Sequence, residues 1–391
     1  MTRAEQTRPV AASVGAMLEN QTPLGAFVAS PDFSQYRYCW LRDGAFTAYA
    51  LDRSGESGAA GRFHIWVLAA LDRLGASMER SVARRSEQQE PDRVDLPPAR
   101  FALDGSIVAD DWPNFQIDGY ATWLWSLREH LLAEGESGCP PELAGAVDLV
   151  GRYVAAFALD PCFDVWEMNG SEVHTSTLAC IYGGLRAAAD LIDAPYIAQR
   201  AEEVRSYVLG ACVDDGRFGK STSNSEVDAS TLWLSVPFAL VEPDDRRLAK
   251  TVAAIESALR FEGGVRRFES DTYFGGGAWP VLTATLGWHF AALGERARAE
   301  EPLRWIECRL DEAGHLAEQY GGERRDPTMH AEWVERWGVP AKQLVWSHAM
   351  HAVLAAAAGR QDDADPGGRE RARRSSLAGA SAEGGGEGGG P

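Results

Sequence analysis

The chain has 391 residues, of which 45% are hydrophobic, and its formal net charge is −19. This apolar content is enough to bury a large core, which excludes a disordered protein. The acidic balance argues against nucleic acid or an anionic membrane as a partner, because binding either one requires a basic face.

Segments rich in Ala and Leu with helical periodicity recur along the chain and are separated by Gly, Pro and polar loops. Alternating β-branched runs are nearly absent, so the predicted fold class is all-α. The regular spacing of helical hairpins favours a closed toroid or a solenoid. The predicted helices span residues 6–20, 44–54, 58–80, 118–134, 141–158, 175–192, 195–212, 228–240, 245–259, 278–293, 295–309 and 344–358.

The predicted loops are of two kinds. Long loops rich in Trp, Gly and acidic residues alternate with short ones such as Pro140-Pro141. In a toroid of hairpins this alternation places the long loops on one face. We expect a single helical domain over residues 1–359 and a disordered tail over residues 360–391, because the tail is rich in Gly, Ser and charge and lacks apolar spacing.

The six cysteines and eight histidines show neither the C-x-x-C nor the HExxH spacing of a metal site. We therefore expect no metal and no cofactor, and reduced cysteines. No apolar run approaches the roughly 18 residues of a membrane span, and the first residues do not resemble a signal peptide. These features predict a cytoplasmic protein without a membrane partner.

A polar loop with the sequence FDVWEMNG places Glu167 between Trp166 and Met168. Apolar neighbours desolvate a carboxyl group, which raises its pKa and makes it a usable proton donor near neutral pH. Glu167 is therefore a candidate general acid. The alternative for an isolated Trp-Glu pair is a surface acid beside a core tryptophan.

The other long loops have the same mixture of aromatic, acidic, arginine and amide side chains. Aromatic faces pack against sugar rings, and an Arg-Asp pair such as Arg42-Asp43 makes directional hydrogen bonds to hydroxyls. Asp43 and Asp118 are also suitable helix N-caps. Five loops of one composition are explained better by a single carbohydrate pocket than by five independent caps.

The motifs YRYCWLRDG, WPNFQIDG, DVWEMNG, RRFESDTYFGGGAWP, LAEQYGG and LVWSHA follow one another along the chain. Together they resemble the successive signatures of glycoside hydrolase family 15, the glucoamylase family, from about Gly25 to Ala358. The resemblance implies an (α/α)6 barrel as the catalytic domain.

By position, the resemblance implies that Glu167 is the general acid and Glu318 the general base. It further implies that Arg42, Asp43 and Arg267 bind the terminal sugar. The full set of predicted substrate-binding residues is Tyr36, Trp40, Arg42, Asp43, Trp112, Trp166, Arg267, Asp271, Trp279 and Gln319.

Three departures from the family pattern limit the predicted substrates. Met168 replaces the second acid that many fungal members have after the general acid, and the chain is one residue shorter before Asn169-Gly170. The chain has no room for the N-terminal β-sandwich domain of many prokaryotic members. It also shows no starch-binding module or secretion signal, which argues against granular starch.

The predicted function is an inverting exo-acting hydrolase of short soluble α-gluco-oligosaccharides, with the oligomeric state open. Trehalose is the alternative substrate within the family. A non-catalytic sugar-binding regulatory protein with the same barrel is the alternative from another class, and the two glutamates argue against it. A terpene-cyclase-like toroid lacks support because no DDxxD motif is present.

Overall fold

The structure is a computed structural model that describes residues 3–360. The predicted tail begins at Arg360, whose guanidinium pairs with Glu307 at 2.8 Å and with Glu300. The rest of the predicted tail lies outside the described residues.

The all-α prediction is confirmed. The helices are α1 Arg3–Glu19, α2 Leu41–Arg53, α3 Ser57–Ser86, α4 Asp118–Ala133, α5 Pro141–Phe157, α6 Thr175–Ile192, α7 Pro195–Ala211, α8 Arg246–Ala258, α9 Pro280–Ala292, α10 Arg296–Glu307, α11 Gly322–Arg325, α12 Pro327–Trp337 and α13 Val345–Ala357. Short 3-10 helices span Ser34–Tyr36, Arg93–Asp95, Ala229–Leu234 and Tyr273–Gly275.

Six elements form a closed inner ring. In order around the ring, α2 packs on α4, α4 on α6, α6 on the 3-10 helix Ala229–Leu234, this helix on α9, α9 on α13, and α13 again on α2. The helices α1, α3, α5, α7, α8 and α10 pack outside the ring. The closure excludes a solenoid, and the (α/α)6 barrel is confirmed.

The sequences of α8 and α9 match the layers in which these helices lie. In the outer helix α8, the buried residues Leu248, Thr251, Val252 and Ile255 form one stripe at spacings of three, four and seven, as expected for a helix with one face on a core. In the inner helix α9, nearly every residue from Pro280 to Phe290 is buried. A helix that is apolar on all sides is stable only with neighbours on all sides.

The inner ring is filled along its axis by aromatic side chains. Phe46 is fully buried and lies with ring centroids 5.6 Å from Trp233, 5.6 Å from Trp125 and 5.8 Å from Trp346. Such aromatic packing leaves no passage through the barrel at this level.

One predicted helix is wrong, and the helices α11 and α12 have no counterpart among the predicted ones. The predicted helix 228–240 is a 3-10 helix over Ala229–Leu234 followed by turns. Pro237 has no N–H to donate and disfavours the α conformation of the residue before it, so a regular helix cannot continue there. Helix α12 was not predicted, although Asp326 caps it by accepting from the N–H of Met329 at 3.0 Å and Pro327 occupies its first position.

Within residues 3–360, six short strands form three antiparallel pairs. In the first pair, β1 Cys39–Trp40 lies against β2 Arg100–Phe101, with Trp40 opposite Arg100. The other two pairs are β3 Val213–Asp214 with β4 Arg217–Phe218 and β5 Arg260–Phe261 with β6 Gly264–Val265. The first pair joins the loops before α2 and α4.

The long loops precede the inner elements and therefore meet at the N-terminal end of the inner ring. They span residues 20–40, 87–117, 158–174, 212–228, 259–279 and 308–344. Within residues 3–360, no helix has both the length and the apolar character needed to cross a membrane.

Candidate active site

A cavity of about 750 Å³ lies among these loops. Both predicted catalytic glutamates line it, as do nine of the ten predicted substrate-binding residues; Gln319 is the exception. The lining predicted from sequence is Tyr36, Trp40, Arg42, Asp43, Trp112, Trp166, Glu167, Arg267, Asp271, Trp279 and Glu318.

A tight turn presents Glu167 to the cavity. Glu167 has a left-handed backbone with φ of 64°, which is uncommon for a residue with a side chain. Asp164 holds this turn, because its Oδ1 accepts from the backbone N–H groups of Trp166 at 2.9 Å and Met168 at 2.8 Å. Its own carbonyl accepts from the N–H of Glu167 at 2.8 Å. Asp164 thus determines the direction of the Glu167 side chain.

Three N–H groups from two other loops converge on one oxygen of Glu167. Oε1 accepts from Trp40 Nε1 at 2.7 Å, from Trp112 Nε1 at 3.0 Å and from Gln116 Nε2 at 3.1 Å. These donors stabilise the ionised carboxylate that remains after a proton has left.

The surroundings of Glu167 differ from the sequence prediction. Its apolar neighbours do not enclose the carboxyl group, because Met168 is 40% exposed and the ring of Trp166 packs on Trp279 with centroids 5.7 Å apart. The expected desolvation acts instead on the other glutamate, Glu318.

Glu318 is 1% exposed, and burial raises its pKa to about 8. The hydroxyl of Tyr36, which donates to Oε1 at 2.8 Å, and the guanidinium of Arg267 oppose this rise in pKa. The Tyr36 oxygen lies 2.9 Å from the hydroxyl oxygen of Tyr273. Oε2 of Glu318 is buried and has no hydrogen-bond partner among the described residues. This oxygen is therefore available to a ligand or a water molecule.

Helix α13 holds the loop that carries Glu318. His348 Nε2 accepts from the N–H of Leu316 at 3.0 Å, and Ser347 Oγ donates to the carbonyl of Ala317 at 3.0 Å. Since Nε2 accepts, His348 is the neutral tautomer with its proton on Nδ1, facing Ser13 Oγ at 3.0 Å. Burial lowers the pKa of His348 to about 3, which keeps it neutral.

Arg42 and Asp43 lie in the first turn of α2. Arg42 donates to Asp118 at 2.8 Å and to Gln116 at 3.2 Å, and its Nε lies 3.3 Å from Asp43 Oδ2. Burial raises the pKa of Asp43 to about 6, while Arg42 opposes the rise. Neither Asp43 nor Asp118 caps its helix, so the capping alternative is wrong for both. Their carboxylates balance the charge of Arg42 at the cavity.

A second arginine, Arg267, lines the same cavity from a loop distant in sequence and is held by an acid of its own. Arg267 donates to both oxygens of Asp271, at 2.9 and 2.6 Å. Its guanidinium carbon lies 5.4 Å from the ring centroid of Trp166 and 5.3 Å from that of Trp279. Asp271 therefore orients Arg267, although it also lines the cavity.

Gln319 does not line the cavity, which differs from its predicted contact with substrate. Its side chain accepts from the N–H of Gly277 at 2.8 Å and donates to the carbonyl of Tyr273 at 3.1 Å. A Cβ on Gly277 would lie 2.6 Å from the carbonyl oxygen of Tyr320, so this position requires glycine. Gln319 thus orders the glycine-rich loop.

Sequence reasoning missed several residues of the site. Gln116 and Tyr273 lie within motifs that were recognised, but their contacts with the glutamates depend on tertiary structure. Lys220 is 3% exposed, lies 3.4 Å from Asp228 and has its Nζ 3.0 Å from the ring centroid of Phe268. The sequence offered one signal for this residue, namely the rarity of lysine, which occurs only at positions 220, 250 and 342.

Helix α12 adds an aromatic side to the cavity through Trp333 and Trp337, together with Arg336. Within residues 3–360, no group of three or more His, Cys, Asp or Glu side chains is arranged to hold a metal ion.

Comparison with known proteins identifies close relatives. The family model described as "Glycosyl hydrolases family 15" matches residues 6–362. Isomaltose glucohydrolase from Kribbella flavida is 41% identical over 350 residues, which are 88% of this chain and 90% of that protein.

Solved structures give the same result. A glycosidase variant in complex with glucose has a TM-score of 0.86 and 39% identity, and the match covers 92% of this chain and 98% of the other. A glucoamylase from Saccharomycopsis fibuligera has a TM-score of 0.68 at 15% identity, covering 92% of this chain and 96% of that one. The second likeness concerns the fold alone.

Proposed function

This chain belongs to glycosyl hydrolase family 15 and is a glycoside hydrolase, and we propose that it is an inverting, exo-acting enzyme that releases β-glucose from short soluble α-gluco-oligosaccharides. The observation that carries the proposal is one cavity lined by two glutamates, Glu167 and Glu318, and by two buried arginines, Arg42 and Arg267. This combination supplies an acid, a base and directional donors for hydroxyl groups.

Glu167 acts as the general acid. Its proton moves to the glycosidic oxygen while the bond from that oxygen to the anomeric carbon breaks and the electron pair leaves with the oxygen. The carboxylate that results accepts hydrogen bonds from Trp40, Trp112 and Gln116. These donors stabilise the negative charge at the moment it develops.

Glu318 acts as the general base. It removes a proton from a water molecule that attacks the anomeric carbon from the face opposite the leaving group, which inverts the configuration. Oε2, buried and without a partner among the described residues, is suited to receive that proton. Because burial raises the pKa of Glu318 to about 8, the ionised form is a stronger base than an ordinary glutamate.

The aromatic filling of the barrel supports exo action. The lining of the cavity includes Trp346, which packs on the buried Phe46 in the axis of the ring. This layer closes the cavity on the side of the barrel axis, which suits the binding of a chain end. Arg42 and Arg267 then bind the hydroxyls of the terminal sugar.

Isomaltose is the first substrate to test, because the relative at 41% identity is named for it. The experiment follows glucose release by proton NMR from isomaltose, maltose, panose and trehalose. We expect the fastest release from isomaltose, and on isomaltose, maltose and panose an early excess of β-glucose over its equilibrium share. An early excess of α-glucose from these three substrates would contradict inversion and the base role of Glu318. A folded protein that releases glucose from none of the four would support the sugar-binding alternative.

A further inference from the structure

Arg100 is a buried charge that lies outside the lining of the cavity. It is 3% exposed and belongs to β2, where it pairs with Trp40 of β1. A charged side chain in such a position is costly unless it is paired and hydrogen-bonded. The groups that contact Arg100 therefore indicate the role of this buried charge.

The guanidinium of Arg100 packs on the aromatic groups around Glu167. Its central carbon lies 3.6 Å from the ring centroid of Trp112, 4.3 Å from that of Tyr38 and 5.4 Å from that of Trp40. A cation over an indole face is attracted by the ring, and the attraction is greatest where water is excluded. The position of Arg100 thus restrains both indoles that donate to Glu167.

Asp110 links the same guanidinium to the backbone of Trp112. Its Oδ2 accepts from Arg100, and its Oδ1 accepts from the N–H of Trp112 at 3.1 Å. Arg100 also donates to the carbonyl of Gln35 at 3.0 Å. The loop before α4 and the loop before α2 are therefore fixed to each other through one guanidinium.

We propose that Arg100 is a positioning residue for Glu167: it holds the indole N–H groups of Trp40 and Trp112 on Oε1, so that the transferable proton resides on Oε2. Indole N–H groups donate and cannot accept, so they require a lone pair of Oε1. Among the described residues, Oε1 alone of the two carboxyl oxygens accepts hydrogen bonds.

The proton on Oε2 passes to the glycosidic oxygen as the glycosidic bond breaks, and the carboxylate remains bound to both indoles. This inference rests on the proposed role of Glu167 as the general acid. A residue that acts only through an acid affects reactions in proportion to their need for protonation.

The test measures kcat and KM for Arg100→Met and Arg100→Lys on isomaltose and on 4-nitrophenyl α-glucoside, whose leaving group needs little protonation. We expect kcat on isomaltose to fall by about tenfold or more, part of the roughly 10²–10⁴-fold that acid-base assistance provides. On the aryl glucoside we expect kcat to fall by less than about threefold, because this reaction needs little help from the acid.

Arg309→Met is the matched control. Arg309 lies 3.7 Å from the ring centroid of Trp305, away from the cavity lining, so the variant also removes an arginine from an indole face. It should leave both rates unchanged.

Trp112→Phe keeps an aromatic ring for Arg100 but lacks the N–H, and it should reproduce the selective loss on isomaltose even where the Arg100 variants fold poorly.

Equal losses on both substrates, or no loss on either, in variants that keep the wild-type melting temperature would overturn the proposal. Glu167→Gln separates this failure from failure of the proposed function. If that variant shows the leaving-group dependence and the Arg100 and Trp112 variants do not, only the positioning role is wrong. If Glu167→Gln lacks the dependence, the acid assignment itself is wrong.

Discussion

Glu167 and Glu318 line the same cavity with the same side chain, but their surroundings differ. Glu167 lies in a polar turn and receives three N–H groups on one oxygen. Glu318 is 1% exposed, receives a single hydroxyl from Tyr36 and has a buried oxygen without a partner among the described residues. Donors stabilise a carboxylate, whereas burial favours the protonated acid. The protein therefore distinguishes two identical groups through donor number and solvent access.

The largest expected effect comes from Glu318→Gln, which keeps the shape of the side chain and removes the base. Turnover should fall by about 10²–10⁴-fold. The loss should be similar on isomaltose and on an aryl glucoside, because water must be deprotonated in both reactions. Turnover near that of the wild type on either substrate would contradict the assignment of Glu318.

Glu167→Gln should show the complementary pattern. On isomaltose the loss should again be about 10²–10⁴-fold, because the departing sugar needs a proton. On 4-nitrophenyl α-glucoside the loss should be much smaller. Steady-state rates on the two substrates provide the measurement, and equal losses would mean that the two glutamates do not have the different roles proposed.

Tyr36→Phe should have a smaller effect and should act mainly through pH. The hydroxyl lowers the pKa of Glu318 against the effect of burial, so its removal raises that pKa further above about 8. On 4-nitrophenyl α-glucoside, which needs little protonation, the free enzyme depends mainly on ionised Glu318. On this substrate kcat/KM should rise with pH towards about 8 in the wild type and at higher pH in the variant.

Tyr120→Phe is the control for the loss of a tyrosine hydroxyl. Tyr120 is 1% exposed and donates to the carbonyl of Pro98 at 2.7 Å, outside the cavity lining. Its variant should keep the pH profile of the wild type. If Tyr36→Phe also keeps that profile, the hydroxyl does not act on Glu318.

The all-α class was predictable because its signals are local, whereas the closed barrel was implied by the resemblance of the six motifs to a known family. The apolar stripe of α8 and the mostly apolar sequence of α9 are visible before any contact is known. The 228–240 segment was mispredicted because Pro237 outweighs an otherwise helical composition.

The site was only partly predictable. The resemblance predicted that Glu167 and Glu318 share one pocket, and both line the same cavity. Which of them is more deeply buried depends on loops distant in sequence. Tyr36 reaches Glu318 across 282 positions, and Trp40 reaches Glu167 across 127. Apolar sequence neighbours were a poor guide to desolvation, because Met168 turns outward. Gln319 adjoins Glu318 in sequence but faces the glycine-rich loop.

The smallest expected effect is on stability, and it tests the burial of Glu318 without any substrate. Burial raises the pKa of Glu318 from 4.5 to about 8, so the folded protein binds a proton there more tightly than the unfolded chain does. The stability contributed by this proton is fully present below about pH 4.5 and is lost as the pH rises through about 8. Melting temperatures of the wild type and of Glu318→Gln, measured from pH 5 to 9, should therefore diverge in favour of the variant as the pH increases.

The pKa values of Asp43 and Asp164 are also raised, each to about 6. Both residues are present in the wild type and in the variant, so their contributions largely cancel in the difference between the two melting temperatures. Parallel curves for wild type and Glu318→Gln would mean that Glu318 is solvated in solution, and the contrast between the two carboxyl groups would then be lost.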